Sequence, residues 1–130
     1  MKLTEYQLHS QIVEYLKLKR ALFTSTLGGV YLNSWKQKKL VKKHYAKGVP
    51  DILIFEPQTC AKPSQRPANY YSGLAIEVKI KPNKPTKNQL NWLTALNDRN
   101  FLGVVVYDFE QAKDIIDNYL YNEQLDFNWV

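Results

Sequence analysis

The chain has 130 residues, 18 Lys/Arg against 12 Asp/Glu, and a formal charge of +6. That length predicts a single domain over 1–130; 45% apolar residues exclude a mainly disordered chain, and no apolar run approaches the roughly 18 residues needed to span a bilayer. Cys60 stands alone, which excludes an internal disulfide and a cysteine-rich zinc site, and the polar start Met1-Lys2-Leu3-Thr4-Glu5 lacks a secretory apolar stretch, so a soluble cytoplasmic protein is expected.

A first helix is predicted from a capping box, Thr4 with Gln7 three residues on, to about Arg20. At 100° per residue Leu8, Ile12 and Leu16 share a face; Glu5 falls on it and Glu14 opposite. Glu5 is also a first-turn acid of the kind the helix dipole favours. Ala21 to Thr26 reads as a strand stopped by Gly28-Gly29. Asn33 or Ser34 then caps a second helix ending near Gly48. Gln37, Leu40, Val41, His44 and Tyr45 form its narrow inner face, and Lys36, Lys38, Lys39, Lys42, Lys43 and Lys47 cover the rest. So many like charges weaken an isolated helix, so packing or a neutralising ligand must hold it.

Asp51 to Phe55 is a short buried strand. The stretch 56–73, with Pro57, Pro63 and Pro67, reads as a long proline-rich loop, either inserted or functional as a dimer or DNA contact. Leu74 to Ile80 alternates, with Leu74, Ile76, Val78 and Ile80 on one side and Ala75, Glu77 and Lys79 on the other. Thr86 and Gln89 form a second capping box opening a helix that buries Leu93, Leu96 and Trp92. Phe101 to Tyr107 is a β-branched strand, and Asp108 with Gln111 opens a last helix carrying Ala112, Ile115, Ile116, Tyr119 and Leu120. This order predicts an α/β layered domain around a mixed sheet.

Charge is unevenly spread. Residues 1–87 hold 16 Lys/Arg and 5 Asp/Glu, whereas residues 88–130 hold 2 and 7. A basic body with an acidic C-terminal third suits a polyanion such as nucleic acid, or else a solvated lysine-rich surface. If the strands at Asp51 and Glu77 pair, two carboxylates converge near Lys79. Such hard oxygen ligands suit Mg²⁺ or Mn²⁺, and Glu5 completes the set from the first helix. Lys79 can then orient or deprotonate water, or stabilise transition-state charge. The other reading is a buried ion pair of Lys79 with Glu77 or Asp51. A Glu-x-Lys triplet arises by chance about once in a chain of this composition, so its strength lies in combination with Pro50-Asp51 and the alternating strand. His9, one turn after Glu5, and His44 read as hydrogen-bonded structural histidines. The tyrosines and tryptophans read mostly as packing, with Tyr70-Tyr71 as a weaker base-stacking candidate, and Asp126–Val130 receives no assignment.

Gly48-Val49-Pro50-Asp51-Ile52-Leu53-Ile54, Ile76-Glu77-Val78-Lys79 and Asn88-Gln89-x-x-Trp92-Leu93 together resemble the virus-type replication-repair nuclease (VRR-NUC) domain of the PD-(D/E)XK superfamily. Thr4-Glu5-x-Gln7 through Tyr15-Leu16 is similar to its first helix, and Gly28-Gly29 before the basic helix is similar to its phage-type members. The resemblance runs from about Thr4 to Leu120. It implies a restriction-endonuclease-like core and metal-dependent hydrolysis of DNA phosphodiesters, usually leaving a 5′-phosphate. By motif, Asp51 and Glu77 are the metal-binding acids, joined by Glu5 and the Val78 carbonyl. Lys79 is the catalytic lysine and Gln89 the glutamine of the following helix, a residue that also serves the capping box. The resemblance further implies branched or flapped DNA as substrate, Holliday-junction resolution among its uses in replication, recombination or repair, and a homodimer. The 26-residue step from Asp51 to Glu77 is longer than the family's, because of the proline-rich loop. Phosphate contacts are expected from Lys36, Lys39, Lys42, Lys43 and Lys47 and from Lys81, Lys84 and Lys87. The alternative is a non-catalytic DNA-binding module that keeps the nuclease fold.

Overall fold

The computed structural model describes residues 2–26, 35–58 and 71–121, without the side chains of residues 35–37, 40 and 41. The expected cap at Asn33 or Ser34, the Gly28-Gly29 stop, Cys60, Tyr70, most of the proline-rich loop and Asp126–Val130 lie outside the described residues.

Helix α1 spans Glu5–Leu18, and its capping box is formed: the Gln7 amide donates to the Thr4 hydroxyl at 3.1 Å, and the Thr4 amide donates to the Gln7 side chain at 2.9 Å. Leu8, Ile12 and Leu16 are its buried residues. Strand β1 (Phe23–Ser25) follows, then the lysine-rich helix α2 (Trp35–His44) and strand β2 (Ile52–Ile54). Strand β3 (Gly73–Val78) leads through residues 79–86 to helix α3 (Lys87–Asn97), whose Thr86/Gln89 capping box is also formed. Strand β4 (Phe101–Val106) and helix α4 (Phe109–Tyr121) complete the order. Asp108 accepts from the Gln111 amide at 2.7 Å, and Gln111 accepts from the Tyr107 amide, so α4 starts where the sequence predicts.

The sheet runs β1-β2-β3-β4, antiparallel except for the parallel β3–β4 pair, and it is therefore mixed. One face carries the core: Leu8, Ile12 and Leu16 of α1 meet Ile52, Ile54, Leu74, Ile76 and Val78 of the sheet and Ala112, Ile116 and Tyr119 of α4. Helix α3 covers the other face. There a Cβ added to Gly103 would lie 3.1 Å from Leu93, and the residue paired with Gly103 is Ala75, so small residues on two strands let α3 approach. Every residue of β3 is consequently buried, on both faces. The alternation in 74–80 therefore separates two buried faces and not a core from water, and it places Glu77 under α3 and not in solvent.

The proline-rich loop leaves and returns at one place. The Gln58 amide donates to the Tyr71 carbonyl at 2.9 Å, and the buried Tyr119 hydroxyl donates to the Glu56 carbonyl at 2.8 Å. With these ends joined, β2 and β3 pair directly across the 26-residue step from Asp51 to Glu77.

Candidate active site

Asp51 stands immediately before β2. Pairing of Ile52 with Ile76 fixes the register, and one further step puts Asp51 opposite Glu77. Asp51 is anchored on both sides. Its carboxylate accepts from the Val78 amide at 2.8 Å, and its carbonyl accepts from the Thr26 amide at 2.8 Å, while the Thr26 hydroxyl donates to the Pro50 carbonyl. Asp51 is 9% exposed and Glu77 1%. Neither Glu77 carboxylate oxygen has a hydrogen-bond partner.

Two carboxylates set opposite each other, out of water, cannot both ionise cheaply. Burial, then the Asp51 carboxyl beside it, push the Glu77 pKa up to about 9; Lys79 and the Asp51 backbone amide oppose this more weakly. Like charges directly across a strand pair are destabilising, so the fold tolerates this arrangement only with a shared proton or a cation. Hard, unpartnered oxygens of this kind fit a divalent metal.

A cleft of about 180 Å³ opens beside the pair, lined by Glu5, Tyr6, His9, Asp51, Val78, Lys79 and Gln89. Lys79 follows the end of β3, its amide donating to the Val106 carbonyl, and its ammonium lies 3.9 Å from Glu5. One oxygen of Glu5 is buried without a hydrogen bond. The sequence-predicted Glu5, Asp51, Val78, Lys79 and Gln89 thus meet at one cleft, with Glu77 buried next to Asp51. They do not form a compact three-acid cage: among the described residues no group of three His, Cys, Asp or Glu side chains is close enough to hold a metal ion. Glu5 is directed to Lys79, leaving Asp51 and Glu77 as the close pair. The Gln89 amide oxygen accepts from the Thr86 amide at 2.8 Å, so this residue both caps α3 and borders the cleft.

His9 Nε2 lies 2.9 Å from the Ser25 hydroxyl, a hydrogen-bonded histidine as its sequence position predicts, and it also lines the cleft. His44 is exposed rather than on an inner face, because it is the last residue of α2. Tyr6 is the cleft residue that sequence reasoning missed. Its signal is its place beside Glu5, off the Leu8/Ile12/Leu16 face. Lys39, Lys42, Lys43, Lys47, Lys81, Lys84 and Lys87 are all exposed, and the Lys36 side chain lies outside the described residues. A larger apolar groove of about 500 Å³, between α1 and Phe109, contains none of the predicted residues.

The family model of the VRR-NUC domain matches residues 3–108. A solved structure described as a VRR_NUC domain protein superimposes with a TM-score of 0.64 at 19% identity, over 95% of this chain and 93% of that one. A second, described as a VRR_NUC domain, gives 0.56 at 20% identity, over 88% and 96%. At these identities the likeness is one of fold. No curated protein matches the chain.

Proposed function

The chain belongs to the VRR-NUC family, which makes it a nuclease domain and implies DNA binding, and on that premise we propose that it is a divalent-metal-dependent endonuclease acting on branched or flapped DNA. The observation that carries this reading is the buried Asp51–Glu77 pair, whose Glu77 oxygens lack any partner. Asp51 and Glu77 would hold Mg²⁺ or Mn²⁺, with Glu5 and the Val78 carbonyl bordering the same cleft, and the ion would supply charge neutralisation at the phosphate and a lowered pKa for water. Lys79 is 13% exposed, reaches the cleft and is tethered by Glu5; it can bind a phosphate oxygen or orient water there. Gln89, with its oxygen engaged in the cap, would offer substrate chiefly its amide N–H groups. The exposed lysines of α2 and of residues 81–87 would bind the backbone without reading sequence, which suits recognition of shape. Holliday-junction resolution by a homodimer is the most specific form of this proposal; two-fold symmetry would pair the cuts.

The missing three-acid cage favours a second reading, a DNA-binding module without catalysis. One experiment separates the two. Labelled linear, flapped and four-way DNA is incubated with Mg²⁺ or Mn²⁺ and wild type or Lys79→Ala. We expect cleavage of the branched forms by wild type and its loss in the variant. Equal cleavage by both overturns the role of Lys79; binding by both without any cleavage favours the module. Mn²⁺ binding lost in Asp51→Ala tests the metal site directly.

A further inference from the structure

We infer that Tyr6 is a stacking platform for an unpaired nucleobase of the nucleotide whose phosphate enters the acid cleft. This rests on the nuclease reading and adds to it the part of the substrate that is recognised beside the phosphate.

Tyr6 lines the cleft with Glu5, Asp51 and Lys79 and is nevertheless 75% exposed. An aromatic so exposed contributes little to folding, since the stabilisation of a ring comes from the area it removes from water. Its backbone is rigid all the same. Tyr6 lies in the first turn of α1, inside the reciprocal Thr4/Gln7 hydrogen bonds. His9, three residues on and so on the same helix face, is tied to Ser25, and the next residue, Thr26, is hydrogen-bonded to Asp51 and Pro50. The fold therefore sets the Tyr6 backbone at a fixed place relative to Asp51, and the ring turns about that anchor. A solvated aromatic on a fixed backbone beside phosphate-handling groups is the construction that stacks bases in single-strand binding proteins, where backbone charge and ring face act on one nucleotide. In a duplex each base face is already covered by its neighbours, so the ring gains nothing from paired DNA. The platform would thus favour the unpaired nucleotides of a flap or junction.

The test is binding, read by fluorescence anisotropy in Ca²⁺. The probes are a flapped duplex with ordinary bases in its unpaired strand and the same duplex with abasic linkers there. Wild type is expected to bind the base-bearing flap about 10-fold more tightly. Tyr6→Ala is expected to bind both equally, at the abasic affinity and with an unchanged melting temperature, and Tyr6→Phe to keep the discrimination. If Tyr6→Ala still discriminates, or Tyr6→Phe fails as badly as Tyr6→Ala, the inference is overturned while the nuclease reading stands. If wild type binds neither duplex, the nuclease reading falls and takes this inference with it.

Discussion

Glu77 is a carboxyl whose oxygens make no well-formed hydrogen bond, facing Asp51 out of water. Without metal its pKa in the fold stands near 9, against an ordinary value of 4.5. The folded chain therefore binds more protons than the unfolded chain across that interval, and its stability falls as pH rises from about 4.5 to about 9. Below 4.5 Glu77 is protonated in both states and contributes no slope. Glu77→Gln imitates the protonated form at every pH. In EDTA the variant should melt above wild type at pH 8 by at least about 4 °C, the shift that ~1 kcal/mol produces in a domain of this size, and should match it near pH 4. Parallel melting curves across the range would show that Glu77 ionises without penalty. The two acids were legible in the sequence because a strand period and a Pro-Asp start are local signals. Their mutual burial was not, since it depends on α3 covering the second face of β3. Tyr6 escaped for a related reason: its place beside Glu5, off the buried face of α1, gains meaning only once the cleft is known.

At the scale of elements, the two capping boxes placed α1 and α3 because a cap is written in four consecutive residues. The proline-rich stretch shows in the sequence through Pro57, Pro63 and Pro67, but the hydrogen bonds among Glu56, Gln58, Tyr71 and Tyr119 at its ends join residues too distant in sequence for any local pattern. The same limit applies at Gly48, where the segment after α2 turns toward Asp51. Gly48 has φ +96°, and a Cβ there would lie 2.6 Å from the backbone of Asn88 in the first turn of α3. Both facts forbid a side chain: the left-handed conformation costs an alanine about 1–2 kcal/mol, and backbone cannot swing aside as a flexible side chain does. This contact brings the start of α3, with Gln89, against the segment that delivers Asp51. Gly48→Ala should lower stability by roughly 2–4 kcal/mol in urea unfolding and should also weaken Mn²⁺ binding, because the strand entrance moves with it. A loss of stability with metal affinity intact would mean that the Gly48–Asn88 contact braces the fold without setting the site.

For the whole molecule, the +6 charge divides along the fold. Asp98, Asp108, Glu110, Asp114 and Asp117 fall in or beside α3 and α4, whereas Lys36, Lys38, Lys39, Lys42 and Lys43 lie on α2 and Lys79, Lys81, Lys84 and Lys87 fall in residues 79–87. The Gly48–Asn88 approach joins these two basic regions, since Lys47 and Lys87 are the sequence neighbours of the contacting residues. Lys47 and Lys87 thus each stand one residue from this contact, beside the segment leading to Asp51. Lys39, Lys42 and Lys43 are exposed on α2 or at its end. If each neutralises one phosphate, replacing all three with Ala releases that many fewer counterions. The slope of log K against log[salt] should then flatten by about 2 to 3, with affinity falling uniformly across DNA sequences. Lys113→Ala, in the acidic third, is the control and should leave the slope unchanged. Titrations of one labelled flapped DNA at several salt concentrations measure both. An unchanged slope in the triple variant would make α2 a solvated face and leave phosphate binding to Lys81, Lys84 and Lys87. A flattened slope with cleavage retained at low salt would separate the two functions of the chain: α2 gathers the backbone, and the cleft at Asp51 acts on it.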